Sequence, residues 1–220
     1  MNRFTWSTGL SFRNACTCLL LLVCVQAARA DWTAVRDLVR SGDKLSDENK
    51  QEEIYRRAYT TAQASLKANP RSSNEYLWVA ISAGRLGLVA STGERIQLSK
   101  VVKDNAERAI ALDAANGQAY MVLGAWHFYV ADLSWFQKNA AKVFYGGLPP
   151  ASYEDAVKYL TRSLQIGVEN PVEAYYLRGR ANEELDRDAA AANDYRACIQ
   201  GSARSEKERE MQQEARKRLE

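Results

Sequence analysis

The sequence predicts an all-α fold, an α-solenoid of about four helical hairpins with an inserted amphipathic segment and a C-terminal capping helix. Three observations predict it. Alternating runs of β-branched and polar residues, which half-buried strands require, are almost absent. Apolar and small residues recur instead at helical spacing along most of the chain. The third observation is an internal pattern that repeats with the length of a helical hairpin.

The internal pattern is that of the tetratricopeptide repeat, in which W-x2-L-G-x2-Y forms a first helix and A-x3-F a second. Small residues in this pattern let the paired helices approach closely, and large residues fill the gaps between them. The predicted pairs are residues 32–41 with 58–62, 76–83 with 102–106, 120–127 with 156–160, and 175–182 with 191–195.

The first thirty residues are interpreted as a secretory signal peptide rather than as part of the fold. Two arginines and no acidic residue precede an apolar run at 15–25, and Ala28 and Ala30 are the small residues that a cleavage site requires. The run is shorter than the about 20 residues that span a bilayer. Two alternatives remain, a mitochondrial presequence and a lipid anchor on Cys24. The sequence therefore predicts an exported, periplasmic protein.

Removal of this segment leaves a domain at 31–220 with no excess of charge. The whole chain has 30 basic and 27 acidic residues, and the predicted signal contains three arginines. The remainder is formally neutral and lacks the basic surface that nucleic-acid binding requires. It retains one cysteine, Cys198, interpreted as a small buried residue, with an intermolecular disulfide as the alternative. Its stability must come from a core.

The third hairpin is predicted to carry an insertion at about 131–150. Gly124 and Ala156 are 32 positions apart, where the repeat pattern allows about 12. Ser134 can cap a short helix within the insertion. The apolar residues that share one face of that helix are Phe136, Ala140, Val143 and Phe144.

Three arrangements of the inserted helix are considered. In the one we expect, its apolar face packs on its own repeat. In the second, it presents Trp135, Phe136 or Tyr145 to a protein partner or to a second copy of the chain. In the third, it enters a membrane surface, an arrangement that we do not expect because of its two lysines.

The last segment, residues 204–220, is predicted to be a capping helix. Met211, Ala215 and Leu219 form one thin apolar stripe on an otherwise charged helix, which suits a helix that covers the open end of a stack. A charged interaction tail is the alternative, but the charges alternate in sign instead of clustering.

No residue pattern predicts catalysis, a cofactor or a metal. His127, the one histidine, falls on a helix-packing position of the repeat, and zinc would need three or four ligands. Glu173 and Glu183 lie about 15 Å apart along one helix, so they do not face each other across a substrate as glycosidase carboxylates do. We therefore expect a non-enzymatic protein.

The run LGAWHFYVADLSWFQKNAAKVFYGGLPPASYEDAVKYL, residues 123–160, resembles the signature of the regulator-of-microtubule-dynamics family of tetratricopeptide proteins. In that family a leucine-glycine-x-tryptophan helix leads into an inserted aromatic and basic segment, then into two prolines and a second helix. The similarity extends over about residues 74–219. It implies an all-α repeat fold and a non-enzymatic interaction role. In animals, members of the family associate with microtubules or mitochondria, and bacteria carry shorter relatives.

The first helices of such hairpins line a concave groove. An apolar, aromatic middle and an end of mixed charge predict a protein or peptide partner that binds as an extended or helical segment with apolar anchors. The alternative is a structural module that self-associates through the insertion. The predicted groove residues are Leu77, Ile81, Arg85, Gln118, Met121, Ala125, Phe128, Tyr129, Glu173, Tyr176, Arg180, Glu183 and Glu184.

Overall fold

A computed structural model describes residues 32–220, apart from the side chain of Trp135. The predicted signal peptide and the alternative anchor on Cys24 lie outside these residues. Ten helices and no strand occur in the described part of the chain. The helices are α1 (Trp32–Gly42), α2 (Glu48–Ala68), α3 (Ser73–Val89), α4 (Thr92–Leu112), α5 (Gly117–Ala131), α6 (Trp135–Tyr145), α7 (Tyr153–Ile166), α8 (Val172–Glu183), α9 (Asp188–Gln200) and α10 (Glu206–Lys217).

Local side chains define where many of these helices begin. Six N-cap side chains each accept a hydrogen bond from the backbone N–H three residues later, which satisfies a donor that the helix leaves unpaired. Ser134 caps α6, as the sequence predicts, and Gln137 completes a capping box by returning a bond to the cap. The six N-caps are Asp47, Ser72, Asn116, Ser134, Ser152 and Ser205.

The helices form four hairpins, α1/α2, α3/α4, α5/α7 and α8/α9, which stack in chain order as predicted. Two glycines allow the closest approaches within hairpins. A Cβ atom at Gly124 would lie 2.7 Å from Leu160 Cγ, and one at Gly179 would lie 2.7 Å from Tyr195 Cε1. The predicted pairing of residues 120–127 with 156–160 and of 175–182 with 191–195 is therefore confirmed. Both are contacts of a small residue with a large one.

Helix α10 covers the C-terminal end of the stack. Ala215 is buried against Val172, Tyr195 and Cys198. The side-chain amide of Gln212 donates to three carbonyl oxygens at the end of α9, those of Cys198 at 2.8 Å, Ile199 at 3.3 Å and Gly201 at 2.7 Å. These contacts give the carbonyl groups at the end of α9 a side-chain donor from α10, so α10 is the predicted capping helix.

Helix α6 is oriented differently from the expectation. Its apolar face is turned outward: Phe136 is 75% exposed, Val143 73% and Phe144 74%. On the opposite side, Ala141 is buried and the ring of Tyr145, 38% exposed, lies against Gly93 of α4. Because Gly93 of α4 has no side chain, the Tyr145 ring of α6 lies directly against the α4 backbone. The expectation that the apolar face packs on its own repeat is therefore wrong.

None of the described helices combines the length and the apolar character needed to cross a bilayer.

Candidate binding groove

The concave side of the solenoid contains a groove of about 1770 Å³. Its walls come from α1, α3, α4 and α5 with a small contribution from α6, and the loop before α8 and the first turn of α10 close its far end. Eight of the thirteen predicted residues line it. They are Leu77, Ile81, Arg85, Gln118, Met121, Ala125, Tyr129 and Glu173.

The middle of the groove is apolar. Met121 and Ala125 lie one turn apart on α5, half-buried, and Tyr129 continues the same row with 46% of its surface exposed. Ile81 faces them from α3. Residues spaced by four on a helix share one face, so these side chains form a continuous apolar strip along the groove.

Two tryptophans that the sequence analysis missed form one end of the groove. The rings of Trp32 and Trp78 stack with centroids 5.9 Å apart, and the guanidinium of Arg36 lies 5.5 Å from the Trp32 ring centroid. The sequence contains a pattern that could have identified Trp78. It lies three residues before Ile81 and seven before Arg85, which places all three on one helix face.

Leu77, by contrast, is only 4% exposed and packs into the core with Ala109 and Ala119. Leu77 therefore borders the groove only from the side of the core. The first predicted groove position on α3 therefore belongs to Trp78 rather than to Leu77.

A cluster of ion pairs forms the opposite end. Arg85 Nε on α3 lies 2.9 Å from Asp43 Oδ1, which also accepts a hydrogen bond from the Tyr55 hydroxyl at 2.8 Å. Lys207 Nζ at the start of α10 lies 2.9 Å from Glu173 Oε1 on α8. The cluster thus joins residues from both ends of the solenoid.

The pKa values of this cluster keep its side chains charged. Burial by itself would lower the pKa of Arg85, but the carboxylates of Asp43 and Glu173 raise it above its ordinary value. Burial would raise the pKa of Glu173, but Lys207 and Arg85 lower it. Each charge of the cluster is therefore compensated by an opposite one.

Four of the five predicted α8 residues lie outside the groove, and two of them are against α10. Glu183 accepts a hydrogen bond from the Tyr195 hydroxyl at 2.8 Å and pairs with Arg218. Tyr176 lines a separate, shallow depression against α10. Arg180 lies 4.0 Å from Asp132, and Glu184 is exposed beyond the end of α8. The capping helix occupies the position on α8 that a further repeat would cover.

Phe128 is also absent from the groove surface. It is 3% exposed and packs with Leu160 and Leu177 in the core of the third and fourth hairpins. The Arg180 guanidinium lies 5.5 Å from the centroid of its ring. Tyr129, the next residue, points into the groove instead, because successive residues of a helix face different directions.

His127 occupies a packing position, as the repeat pattern predicts. Its buried ring stacks on Tyr159 at 5.2 Å and meets the edge of Trp126 at 5.0 Å. Its Nδ1 atom lies 3.9 Å from Asp155 Oδ2, too far for a hydrogen bond. Burial lowers its pKa. Within residues 32–220 no group of three or more His, Cys, Asp or Glu side chains is arranged to hold a metal.

The residues predicted for an insertion surface have different surroundings. Phe136 is exposed, whereas the Tyr145 ring lies against Gly93, where an added Cβ atom would be 2.8 Å from Tyr145 Cε1. Tyr145 is therefore an anchor of α6 on α4. The side chain of Trp135 is outside the described residues.

The four hairpins, the capping helix and the concave groove define the chain as a tetratricopeptide-like α-solenoid. It belongs to the regulator of microtubule dynamics family, since the sequence model described as "Regulator of microtubule dynamics protein 1-3" matches residues 17–220. The resemblance inferred from residues 123–160 is thereby confirmed.

Curated relatives agree with this assignment. The chain is 27% identical to "Regulator of microtubule dynamics protein 1" of Bos taurus over 170 residues, covering 77% of this chain and 53% of the bovine protein. It is 26% identical to "Regulator of microtubule dynamics protein 3" of Xenopus laevis, covering 60% of this chain and 28% of the frog protein. The chain spans about half or less of the length of these relatives.

A solved structure supports the fold alone. The crystal structure of a thermophilic TPR protein of Thermus thermophilus superposes with a TM-score of 0.53 at 17% sequence identity. The match covers 82% of this chain and 80% of that chain. The predicted all-α repeat fold is confirmed.

The predicted periplasmic location is wrong. The curated proteins that match this chain are regulator of microtubule dynamics proteins of animals such as cattle and frogs, whose cells have no periplasm. The prediction depended on residues 1–30 alone, whereas the family assignment depends on residues 17–220.

Proposed function

We propose that this chain is a non-enzymatic scaffold that holds a segment of a partner protein in its concave groove. The observation that carries the proposal is the continuous strip of Met121, Ala125 and Tyr129, which lies exposed or half-exposed inside a groove of about 1770 Å³. Large apolar side chains at the surface of a cleft are typical of binding sites, because the cleft removes them from water when it is filled.

The groove also defines the kind of segment that fits. The apolar strip offers positions for side chains spaced along a helix or an extended peptide. Arg85 and Lys207 are already paired with Asp43 and Glu173, so they provide no unpaired positive charge for an acidic tail. We therefore expect a segment with two or more apolar anchors and little net charge.

Photocrosslinking tests this proposal. Benzoylphenylalanine in place of Met121 probes the groove, and the same amino acid in place of Asp104, an exposed residue of α4, is the matched control. We expect position 121 to crosslink to one defined segment of a partner and position 104 not to do so. Equal crosslinking at both positions would contradict the groove assignment.

Family membership identifies the first partners to test. The relatives' names refer to the regulation of microtubule dynamics, so tubulin and proteins that bind tubulin are the first candidates for the crosslinking experiment. The alternative function, self-association through the insertion, depends on the outer face of α6. Light scattering on the unchanged chain and on a Phe136→Asn/Val143→Asn/Phe144→Asn variant tests it, because these three side chains form that face.

A further inference from the structure

The two ends of the solenoid face each other across the groove, and the gap between them is the mouth of the groove. Helix α1 forms one side of the mouth, and the loop before α8 with the start of α10 forms the other. In the described part of the chain, α1 packs on α2 and α3, and α10 packs on α8 and α9. Neither α1 nor α3 packs on α8 or α10. No interface between helices therefore closes the mouth.

Two charged bridges cross the mouth instead. In the first, Glu169 on the loop before α8 lies 4.0 Å from Arg40 Nη2 of α1 and 2.7 Å from Arg204 Nη1 of the loop before α10. In the second, the carboxylate of Glu173 on α8 attracts the guanidinium of Arg85 on α3 within the ionic cluster. Each bridge joins a carboxylate at the C-terminal end to a guanidinium at the N-terminal end.

The charged bridges are weak enough to open. The side chain of Glu169 is 70% exposed and that of Arg40 is 56% exposed, and exposed ion pairs contribute little free energy. Salt weakens them further, since the Debye length falls from about 30 Å at about 0.01 M salt to about 3 Å at about 1 M salt. Small rotations between neighbouring hairpins add up along a stack, so the ends can separate without breaking a hairpin.

Other charged residues of the groove do not cross the mouth. Glu206 pairs with Arg209 in the same helix, at 2.5 Å, and Asp43 pairs with Arg85 at the N-terminal end. Lys207 pairs with Glu173 at the C-terminal end. The loss of Glu206 therefore changes the charge of the groove without changing a bridge.

The apolar strip of the groove lies beside the charged bridges. Tyr129, the last residue of the strip, is within electrostatic reach of Arg85, Glu173 and Lys207. A partner segment that covers Tyr129 therefore also meets the second bridge. The width of the mouth and the occupancy of the strip are for this reason connected.

We propose that the charged bridges form a latch that holds the mouth of the groove closed, and that the mouth opens when α8 to α10 move away from α1. Helix packing defines the walls of the groove, and the latch defines how wide its mouth is. Opening gives a partner segment a route to the apolar strip. The latch rests on the proposed function only in what it admits, because the movement itself needs no partner.

The distance between the two ends tests the latch on the full chain. Nitroxide labels on p-acetylphenylalanine in place of Ala34 on α1 and Gln213 on α10, both exposed, report this distance by double electron–electron resonance. Labels in place of Ala34 and Asp104, an exposed residue of α4, give a control distance within the first two hairpins. The label reacts with the ketone and leaves the cysteines of the chain unmodified.

Charge-removing variants separate the latch from a general effect of salt. Glu169→Gln removes the carboxylate of the first bridge, and Glu169→Gln/Glu173→Gln removes those of both bridges. Glu206→Gln is the matched control. Circular-dichroism melts check that each variant is folded, and Glu169→Gln alone supplies the comparison if the double variant is not, because Glu169 is exposed.

We expect the distance between α1 and α10 in the unchanged chain to be longer at about 1 M salt than at about 0.01 M salt, because the bridges are screened. The shift should exceed the width of the control distribution. Glu169→Gln should show the longer distance already at the low salt concentration, and the double variant should show more of it. Glu206→Gln should match the unchanged chain, and the distance between α1 and α4 should be constant throughout.

Two outcomes would overturn the latch. In the first, the unchanged chain has the same distance between α1 and α10 at both salt concentrations. In the second, the folded variants that lack the bridges keep the short distance at the low salt concentration. The measurement is independent of the crosslinking at position 121. If the ends separate as expected and that position crosslinks to no partner, the latch is supported and the proposed function fails.

Discussion

Gly124 and Gly84 lie in the first helices of neighbouring hairpins, but their surroundings are different. A Cβ atom at Gly124 would lie 2.7 Å from Leu160 Cγ and 3.0 Å from the Leu160 backbone nitrogen. At Gly84 the nearest such contact is Val102 Cγ2 at 3.7 Å, an ordinary van der Waals distance. The backbone atom at Gly124 cannot move aside as a side chain can, so the same substitution has opposite effects at the two positions.

We expect Gly124→Ala to lower the free energy of unfolding by about 1–2 kcal/mol, because overpacking of the α5/α7 interface outweighs the better helix propensity of alanine. Gly84→Ala should raise it by about 0.5–1 kcal/mol through propensity alone. Urea unfolding of both variants measures the difference. A Gly124→Ala variant as stable as the Gly84→Ala variant would show that α5 and α7 are not in close contact.

At the scale of elements, the capping helix is held by one polar side chain as well as by its apolar stripe. Gln212 is buried and bridges α10 to the end of α9, whereas Gln213 beside it is exposed. In a solenoid each element contacts chiefly its neighbours, so loosening one end leaves the other end intact.

Gln212→Ala should therefore destabilise α10 and α9 by about 1–3 kcal/mol, since the carbonyl oxygens at the end of α9 lose the side-chain donor that α10 supplies. Hydrogen exchange should be faster in these two helices and unchanged in α1 to α4. Gln213→Ala is the matched control and should exchange like the unchanged chain. Uniformly faster exchange throughout the chain would contradict the local character of the cap.

At the scale of the whole molecule, the two ends of the solenoid approach each other across the groove. Glu169, before α8, accepts a hydrogen bond from Arg204 at 2.7 Å and lies 4.0 Å from Arg40 on α1. These ion pairs are exposed, and such pairs contribute little to stability. The shape of the groove therefore depends on helix packing, and the ion pairs only join its edges.

The single histidine makes the response of the whole domain to pH simple to predict. Burial lowers the pKa of His127 in the folded chain, Asp155 and Glu107 raise it, and Lys103 and Lys158 lower it, with a net decrease. The unfolded chain binds a proton more readily than the folded chain does, near its ordinary pKa of about 6.5. The stability contributed by neutral His127 is therefore full above that value and is lost as the pH falls below it.

Urea unfolding between pH 7.5 and 5.5, a range chosen to span a pKa of about 6.5, measures this effect. The midpoint should fall as the solution becomes more acidic, and His127→Gln should flatten the dependence whatever its effect at pH 7.5. An equally steep dependence in the variant would assign the effect to carboxylates instead.

Sequence spacing was sufficient to predict the hairpins. Gly124 with Leu160 and Gly179 with Tyr195 were paired from the repeat pattern and are in contact. Ser134 was identified as the cap of the inserted helix. These features depend on which residues share a helix face and on bonds between residues three positions apart, and both are local properties.

Only the tertiary structure decided which of these faces is covered. The apolar side of α6 faces solvent, Phe128 is buried while Tyr129 is exposed, and Arg85 and Glu173, far apart in the chain, share one ionic cluster. A helix can have an apolar face without a neighbour to cover it, and whether a neighbour is there depends on how distant hairpins stack. The sequence by itself therefore determined the helices and their pairing, and the packing of the stack determined which surfaces remain for partners.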